Sequence, residues 1–329
     1  MRCIKRISLL SLVLATAAFA QMPVSTYSIV AYDEATGQLG VAVQSHWFSV
    51  GALVPWAKAG VGAVATQSFV RVEYGPEGLA LMEGGVSAQE ALKQLTAVDE
   101  QSAVRQVAMI DVQGSVAAHT GDKCIAYAGH RVGKNYSVQA NLMASADVPQ
   151  AMAEGFEGAE GDLAERLMVA LEAAEAVGGD IRGKQSAAIL VVSGEPTGLP
   201  WKDKLVDLRV EDDPEPLVQM RRLLRINRAY THANQGDVYL EENNIEGATE
   251  EYRLAATFYP ENPEMPYWAA VGLAGAGRLE EALPIFKEVF ERNPDLKTLT
   301  PRLVKAGLLP DDGDLLQRIM DLQIGRAHV

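Results

Sequence analysis

Thr26 opens the stretch TYSIVAYDEATGQLGVAVQS. A threonine that heads a mature chain can attack an amide carbonyl with its own α-amine as base, so it needs no separate histidine. The competing reading is that threonine is simply a good strand former at a strand start. Lys58 follows Pro55-Trp56; an ammonium near a nucleophile would favour its ionisation and offset developing charge. As an edge-strand lysine it would do neither. Asn141 in VQANLM could donate a side-chain N–H to an oxyanion, or bond its own backbone in a turn. Asp180 and Arg182 lie in the glycine-flanked connection GGDIRGKQS. There Arg182 could clamp a substrate carboxylate, with Asp180 orienting it or holding a substrate amine. A structural ion pair at a helix exit is the alternative. Gln185 and Ser186 are secondary substrate-binding candidates. Ser45, Thr66 and Gln67 sit at strand ends where a cleft would open, as substrate contacts or as satisfied polar residues.

His46, His119 and His130 stand singly, with no metal-ligand spacing, and the glycine-rich stretches lack the lysine and strand-to-helix setting of a phosphate loop. No metal or cofactor is expected. Cys124 in HTGDKC reads as a reactive thiol or an inert small hydrophobe.

The chain begins with an export signal. Arg2, Lys5 and Arg6 precede an apolar run from Ile7 to Phe19, and Ala18-Phe19-Ala20 fits the small-x-small cleavage rule. Cleavage after Ala20 removes residues 1–20, Cys3 among them, and leaves Cys124 without an internal partner. No later segment is long enough to cross a bilayer, so the mature protein is expected in the periplasm or secreted, without stable membrane insertion. Loss of those three cations takes the net charge from −14 to −17. Such acidity excludes nucleic acid as a partner. The closing IGRAHV reads as an in-frame sequencing-adaptor stretch, so residues 323–329, His328 included, are set aside.

The elements that must position these side chains follow from the pattern. Residues 26 to 45 read as two strands joined at Asp33, Thr36 and Gly37. Neither alternates cleanly, so both faces are expected to be covered. Gly60 to Gln67 reads as another buried strand. Tyr74 to Ala97 gives two helices split at Gly84-Gly85, the second opened by the capping box of Ser87 and Glu90. Strands return at Val107 to Asp111, Ser115 to Thr120, Ile125 to His130 and Tyr136 to Gln139. A helical stretch from Val148 to Val177 stops at Gly178-Gly179, and Ser186 to Val192 is a final buried strand. Two stacked antiparallel sheets with helices outside would bury these patterns.

Seven stretches, TYSIVAYDEATGQLGVAVQS, PWAKAGVGAVATQ, YGPEGL, HTGDKC, VQANLM, GGDIRGKQSAAILVV and VDLRVEDDPEPL, resemble in order the bacterial and archaeal domain-of-unknown-function family 1028, which is placed with the N-terminal nucleophile (Ntn) hydrolases. The resemblance covers roughly Thr26 to Leu224. It implies an α+β fold, a four-layer αββα sandwich over residues 26–225, with the Thr26 hydroxyl directed between the sheets. Signal cleavage leaves QMPVS ahead of Thr26, so catalysis requires a second cut between Ser25 and Thr26.

From about Asn227 the character changes. Gly236, Tyr239, Ala248, Tyr252 and Pro260 are followed by Ala270, Leu273, Ala282, Phe286 and Pro294, each 34 residues on. Residues 226–322 therefore resemble two tetratricopeptide repeats, capped by helices at Leu217 to Leu224 and Leu315 to Leu322 because two repeats rarely stand alone. The expected function is an exported Ntn-type amidohydrolase that cleaves a small amide or peptide bond, with the repeats recruiting a protein or peptide partner. The competing expectation is a non-catalytic ligand- or peptide-binding envelope protein on the same fold. A structural assembly factor is the third, and a homo-oligomer is admitted.

Overall fold

The computed structural model describes residues 26–323. The expected export signal and all but the first residue of the suspected adaptor tail lie outside them. Ten strands form two antiparallel sheets: Thr26–Tyr32 (β1), Leu39–Ser45 (β2), Pro55–Lys58 (β3), Gly62–Ser68 (β4), Arg105–Asp111 (β5), Val116–Thr120 (β6), Gly129–Gly133 (β7), Tyr136–Asn141 (β8), Ser186–Val192 (β9) and Lys204–Val210 (β10). The larger sheet runs β10-β9-β2-β1-β8-β7 and the smaller β3-β4-β5-β6. Helices Tyr74–Glu83 (α1) and Ala88–Val98 (α2) follow β4, while Val148–Gly158 (α3) and Leu163–Ala176 (α4) follow β8.

The near-continuous burial of β1, β2, β4, β5, β8 and β9 has a direct cause, since every second side chain packs on the other sheet and the rest pack on helices. Val30, Val41, Val43, Ala65, Ile110 and Leu190 meet between the sheets. Tyr27, Ile29, Val138 and Ile189 pack with Met152, Leu167 and Leu171 of α3 and α4. Val64, Val107 and Met109 pack with Leu79, Ala88 and Leu92 of α1 and α2. Ser87 caps α2 as its box predicts, accepting the Glu90 N–H at 3.3 Å.

Several elements depart from the sequence reading. The helical stretch 148–177 is two helices, because Gly158 and Gly161, the latter at φ +103°, break it before Asp162 restarts it as an N-cap. The strand expected at Ile125 to His130 begins only at Gly129, and Lys58 ends an additional edge strand, β3, ahead of the strand read at Gly60 to Gln67. Ser186 to Val192 is not the last strand, since β10 follows it at the sheet edge.

The helical region begins inside the front unit. Pro216–Glu241 (α5) is one helix of 26 residues. Its first half buries Leu217, Met220 and Leu224 against α4 and the larger sheet. Its second half pairs with Ile245–Phe258 (α6), and Glu264–Gly275 (α7) pairs with Leu279–Arg292 (α8). A boundary at 225/226 therefore falls within a continuous helix. Tyr252 and Phe286, 34 residues apart, are both buried against the preceding helix of their pair. The capping helix expected at Leu315 to Leu322 is present as Gly313–Met320 (α9), which buries Leu315 and Ile319. Among the described residues no helix is long and apolar enough to cross a membrane.

Candidate functional site

The layer between the sheets changes character along the strands. Away from Thr26 its inward positions are mostly Val, Leu, Ile and Ala; at the Thr26 end they are Thr26, Ser28, Ser45, Gln67, Gln106, Gln139 and Asn141, every one fully buried. Burying so many polar groups is unfavourable unless each finds a partner. They find one another.

Thr26 pairs across β1 with Ser45 on one side and Asn141 on the other. Its Oγ1 donates to Ser45 Oγ at 3.1 Å. Its carbonyl oxygen accepts Gln67 Nε2 at 3.2 Å and Asn141 Nδ2 at 3.5 Å. Gln106 Oε1 then accepts from Gln67 at 2.7 Å and Asn141 at 2.9 Å. Ser28 Oγ donates to Gln67 Oε1 and accepts Gln139 Nε2, each at 2.6 Å. On its far side Gln106 Nε2 donates to the Ala140 carbonyl and to Thr120 Oγ1, both at 2.9 Å. Thr120 in turn meets His130 Nδ1 at 2.8 Å. Partial burial, with His119 nearby, lowers the His130 pKa, so the ring is neutral near pH 7.

Two loops frame this end. The stretch after β8 bonds to the stretch before β9, with Ala144 N–H on the Gly179 carbonyl and Ile181 N–H on that of Leu142. This brings Asp180 beside the end of β2, where its Oδ2 accepts the His46 N–H at 3.0 Å. Asp180 also holds Arg182 by two prongs, from Nε at 3.3 Å and Nη2 at 3.1 Å. Both Asp180 oxygens are thus committed to the protein, which makes it an anchor for Arg182 rather than a ligand for a substrate amine. Leu142 at φ +59° and Ser68 at φ +69° end β8 and β4 at this same rim. Left-handed backbone at a non-glycine residue is sparse and concentrates at functional sites.

The remaining candidates divide. Gln185 takes its place by backbone, donating its N–H to the Ser45 carbonyl at 3.2 Å, but its side chain turns to Asp212 at 2.9 Å. Ser186 pairs with Ser45 across β2 and accepts the Val50 N–H at 3.1 Å. Thr66 alternates to the opposite face from Gln67, and its Oγ1 donates to the Arg71 carbonyl at 3.0 Å. Lys58 is exposed and paired with Glu83 at 2.6 Å. It lies opposite Gly62 at the far end of β4, about 17 Å along the strand from Gln67. Neither joins the Thr26 assembly. Cys124 is half-buried, and that burial raises its pKa, which suits an inert thiol.

Ser28, Gln106 and Gln139 are central to the assembly, yet the sequence reading passes over them. A signal was available in RQVAMID, where Gln106 occupies the same inward parity as Ala108 and Ile110.

The chain matches the family of unknown function DUF1028 over residues 26–220. It belongs to that family. Among solved structures it is similar to the protein SPO2555 of Silicibacter pomeroyi, itself assigned to DUF1028, at 30% identity with a TM-score of 0.55. The alignment covers 61% of this chain and 85% of that one. No curated protein matches. The matched segment contains the whole Thr26 assembly and stops within the first half of α5.

Proposed function

We propose that this DUF1028 protein is an exported Ntn-type amidohydrolase built on an αββα sandwich, with Thr26 as nucleophile once it heads the chain. The observation that carries the reading is the seat of Thr26. Its hydroxyl points between the sheets onto Ser45, while Gln67 and Asn141 fix its carbonyl.

In the proposed reaction the α-amine of Thr26 takes the Oγ1 proton as Oγ1 bonds to the substrate's amide carbon. Collapse of the tetrahedral intermediate breaks the C–N bond, and the amine returns the proton to the leaving nitrogen. Water then cleaves the acyl ester and restores the hydroxyl. Ser45 orients Oγ1. Asn141, whose N–H groups already face Gln106 and the Thr26 carbonyl, is a positioning residue rather than an oxyanion donor. Arg182, braced by Asp180 at the rim, would hold a substrate carboxylate. Cell-wall peptides or scavenged amides suit an envelope location. The helical region, read as two tetratricopeptide-like repeats, recruits a protein or peptide partner.

A second reading is favoured by one specific observation, the complete burial of Thr26 and its polar neighbours. In it, Thr26 stays capped and the protein binds a ligand or peptide without hydrolysis. Intact-mass measurement and N-terminal sequencing of protein recovered from cells, followed by assay on an amide library, separate the two. Catalysis predicts a chain starting at Thr26, with turnover lowered at least about a hundredfold in Thr26→Ala and largely kept in Thr26→Ser. A chain starting at Gln21, with equal turnover by wild type and Thr26→Ala, removes Thr26 as nucleophile.

A further inference from the structure

A cavity of about 410 Å³ opens between α5 and α7 on the helical region, closed on one side by Leu308. Its walls are aromatic and acidic together: Tyr230, Tyr252 and Trp268 stand beside Asp237, Glu241 and Glu264, and none of the side chains lining it is basic. Nearby cations are engaged elsewhere, Arg225 with Glu261, Arg253 with Glu250 and Arg278 with Glu281. Two of the three carboxylates are held in place by the aromatic walls. The Tyr252 hydroxyl donates to Asp237 at 2.5 Å and Trp268 Nε1 to Glu264 at 3.3 Å.

We propose that this groove binds a basic peptide, with a lysine or arginine side chain inserted between the rings of Tyr230 and Trp268 and the carboxylates. Aromatic faces attract a cation through the ring quadrupole, by about 0.5–2 kcal/mol according to desolvation. Neighbouring carboxylates supply the countercharge that a buried cation requires. An anionic ligand would set like charge against the three carboxylates, and a purely apolar one would bring them no countercharge. The length of the groove selects a peptide over a free amine. The α5 residues that line it run from Tyr230 to Glu241, about 17 Å at the helical rise, room for roughly five extended residues.

This inference rests on the partner-recruiting role proposed for the helical region and is independent of Thr26 chemistry. The test is fluorescence anisotropy of the full chain with three labelled pentapeptides matched except for a central pair of Lys, Glu or Ser residues. The lysine peptide should bind tightest and weaken as salt screens the contact. Glu241→Gln combined with Glu264→Gln should weaken it about tenfold or more. Glu288→Gln, which removes one carboxylate charge away from the groove, from an exposed pair with Arg292 on α8, should not. Tighter binding of the glutamate or serine peptide overturns the basic specificity while keeping recruitment. Binding of none of the three overturns both. Unchanged lysine-peptide affinity in the double variant removes the carboxylates from the site.

Discussion

Gln106 bonds in two directions at once. Its oxygen takes N–H groups from Gln67 and Asn141, and its nitrogen donates to Thr120 and the Ala140 carbonyl. Leucine there would keep the volume and the apolar parity of β5 but leave several buried polar groups short of a partner. Each such group costs about 1–3 kcal/mol, whereas the net worth of one hydrogen bond is about 1 kcal/mol. Gln106→Leu is therefore expected to destabilise the chain by about 3 kcal/mol, read as a lower urea midpoint at unchanged slope. A shift of less than about 1 kcal/mol would mean that the network relaxes around the loss. This residue also marks how far the sequence could be read. Thr26, Ser45, Gln67, Asn141, Asp180 and Arg182 are recognisable by type and position, and the fold brings all six to one end of the sheets. Gln106, Ser28 and Gln139 are hidden because a polar residue in a strand reads as solvent-facing until a second sheet is known to cover it.

Among the elements, the buried strands and the edge strand β6 were legible, and the edge strand β10 was not. β10 carries Lys204, Asp207 and Arg209 and is largely exposed, so it lacks the apolar run that signals a covered strand. Charged edges of this kind also discourage pairing with another chain. β7 is similarly exposed, and its start is misplaced for the same reason. The helix pairs of the C-terminal region, by contrast, are marked by small residues, and Gly236 shows why. A Cβ at this position would come within 2.8 Å of the Tyr252 ring. Two effects of Gly236→Ala oppose each other. Higher helix propensity stabilises by about 0.8–1 kcal/mol, and overpacking destabilises by about 1–3 kcal/mol. The ring is buried and its hydroxyl is tied to Asp237, so it has little room to yield and the clash should win. The expected outcome is a net loss of up to about 2 kcal/mol in thermal or urea unfolding. A stabilised variant would show that α5 and α6 can part without cost.

At the scale of the molecule, α5 decides whether the front unit and the helical region behave as one body. Met220 and Leu224 lie in the sheet-facing core, while Ala229 and Gly236 are buried against α6 and its neighbours. Ion pairs reinforce the first half: Arg221 pairs with Glu172 at 2.5 Å and with Glu165, and Arg228 pairs with Asp162 at 3.0 Å, all on or capping α4. Burial opposes the charge on Glu165, but its bonds to Arg221 and Arg228 outweigh that and lower its pKa. Asn227 stands between the two sets of buried contacts. Proline there removes one helical hydrogen bond and clashes with the carbonyl of Leu223, a cost of about 3 kcal/mol. That cost falls on the coupling between the units, because the side chains of both cores remain in place. Wild type should therefore unfold in one calorimetric transition, and Asn227→Pro in two, with the helical region melting first because its core of paired helices is thinner. A single transition at an unchanged midpoint in Asn227→Pro would show that α5 tolerates a kink and that contacts other than helix continuity join the two units.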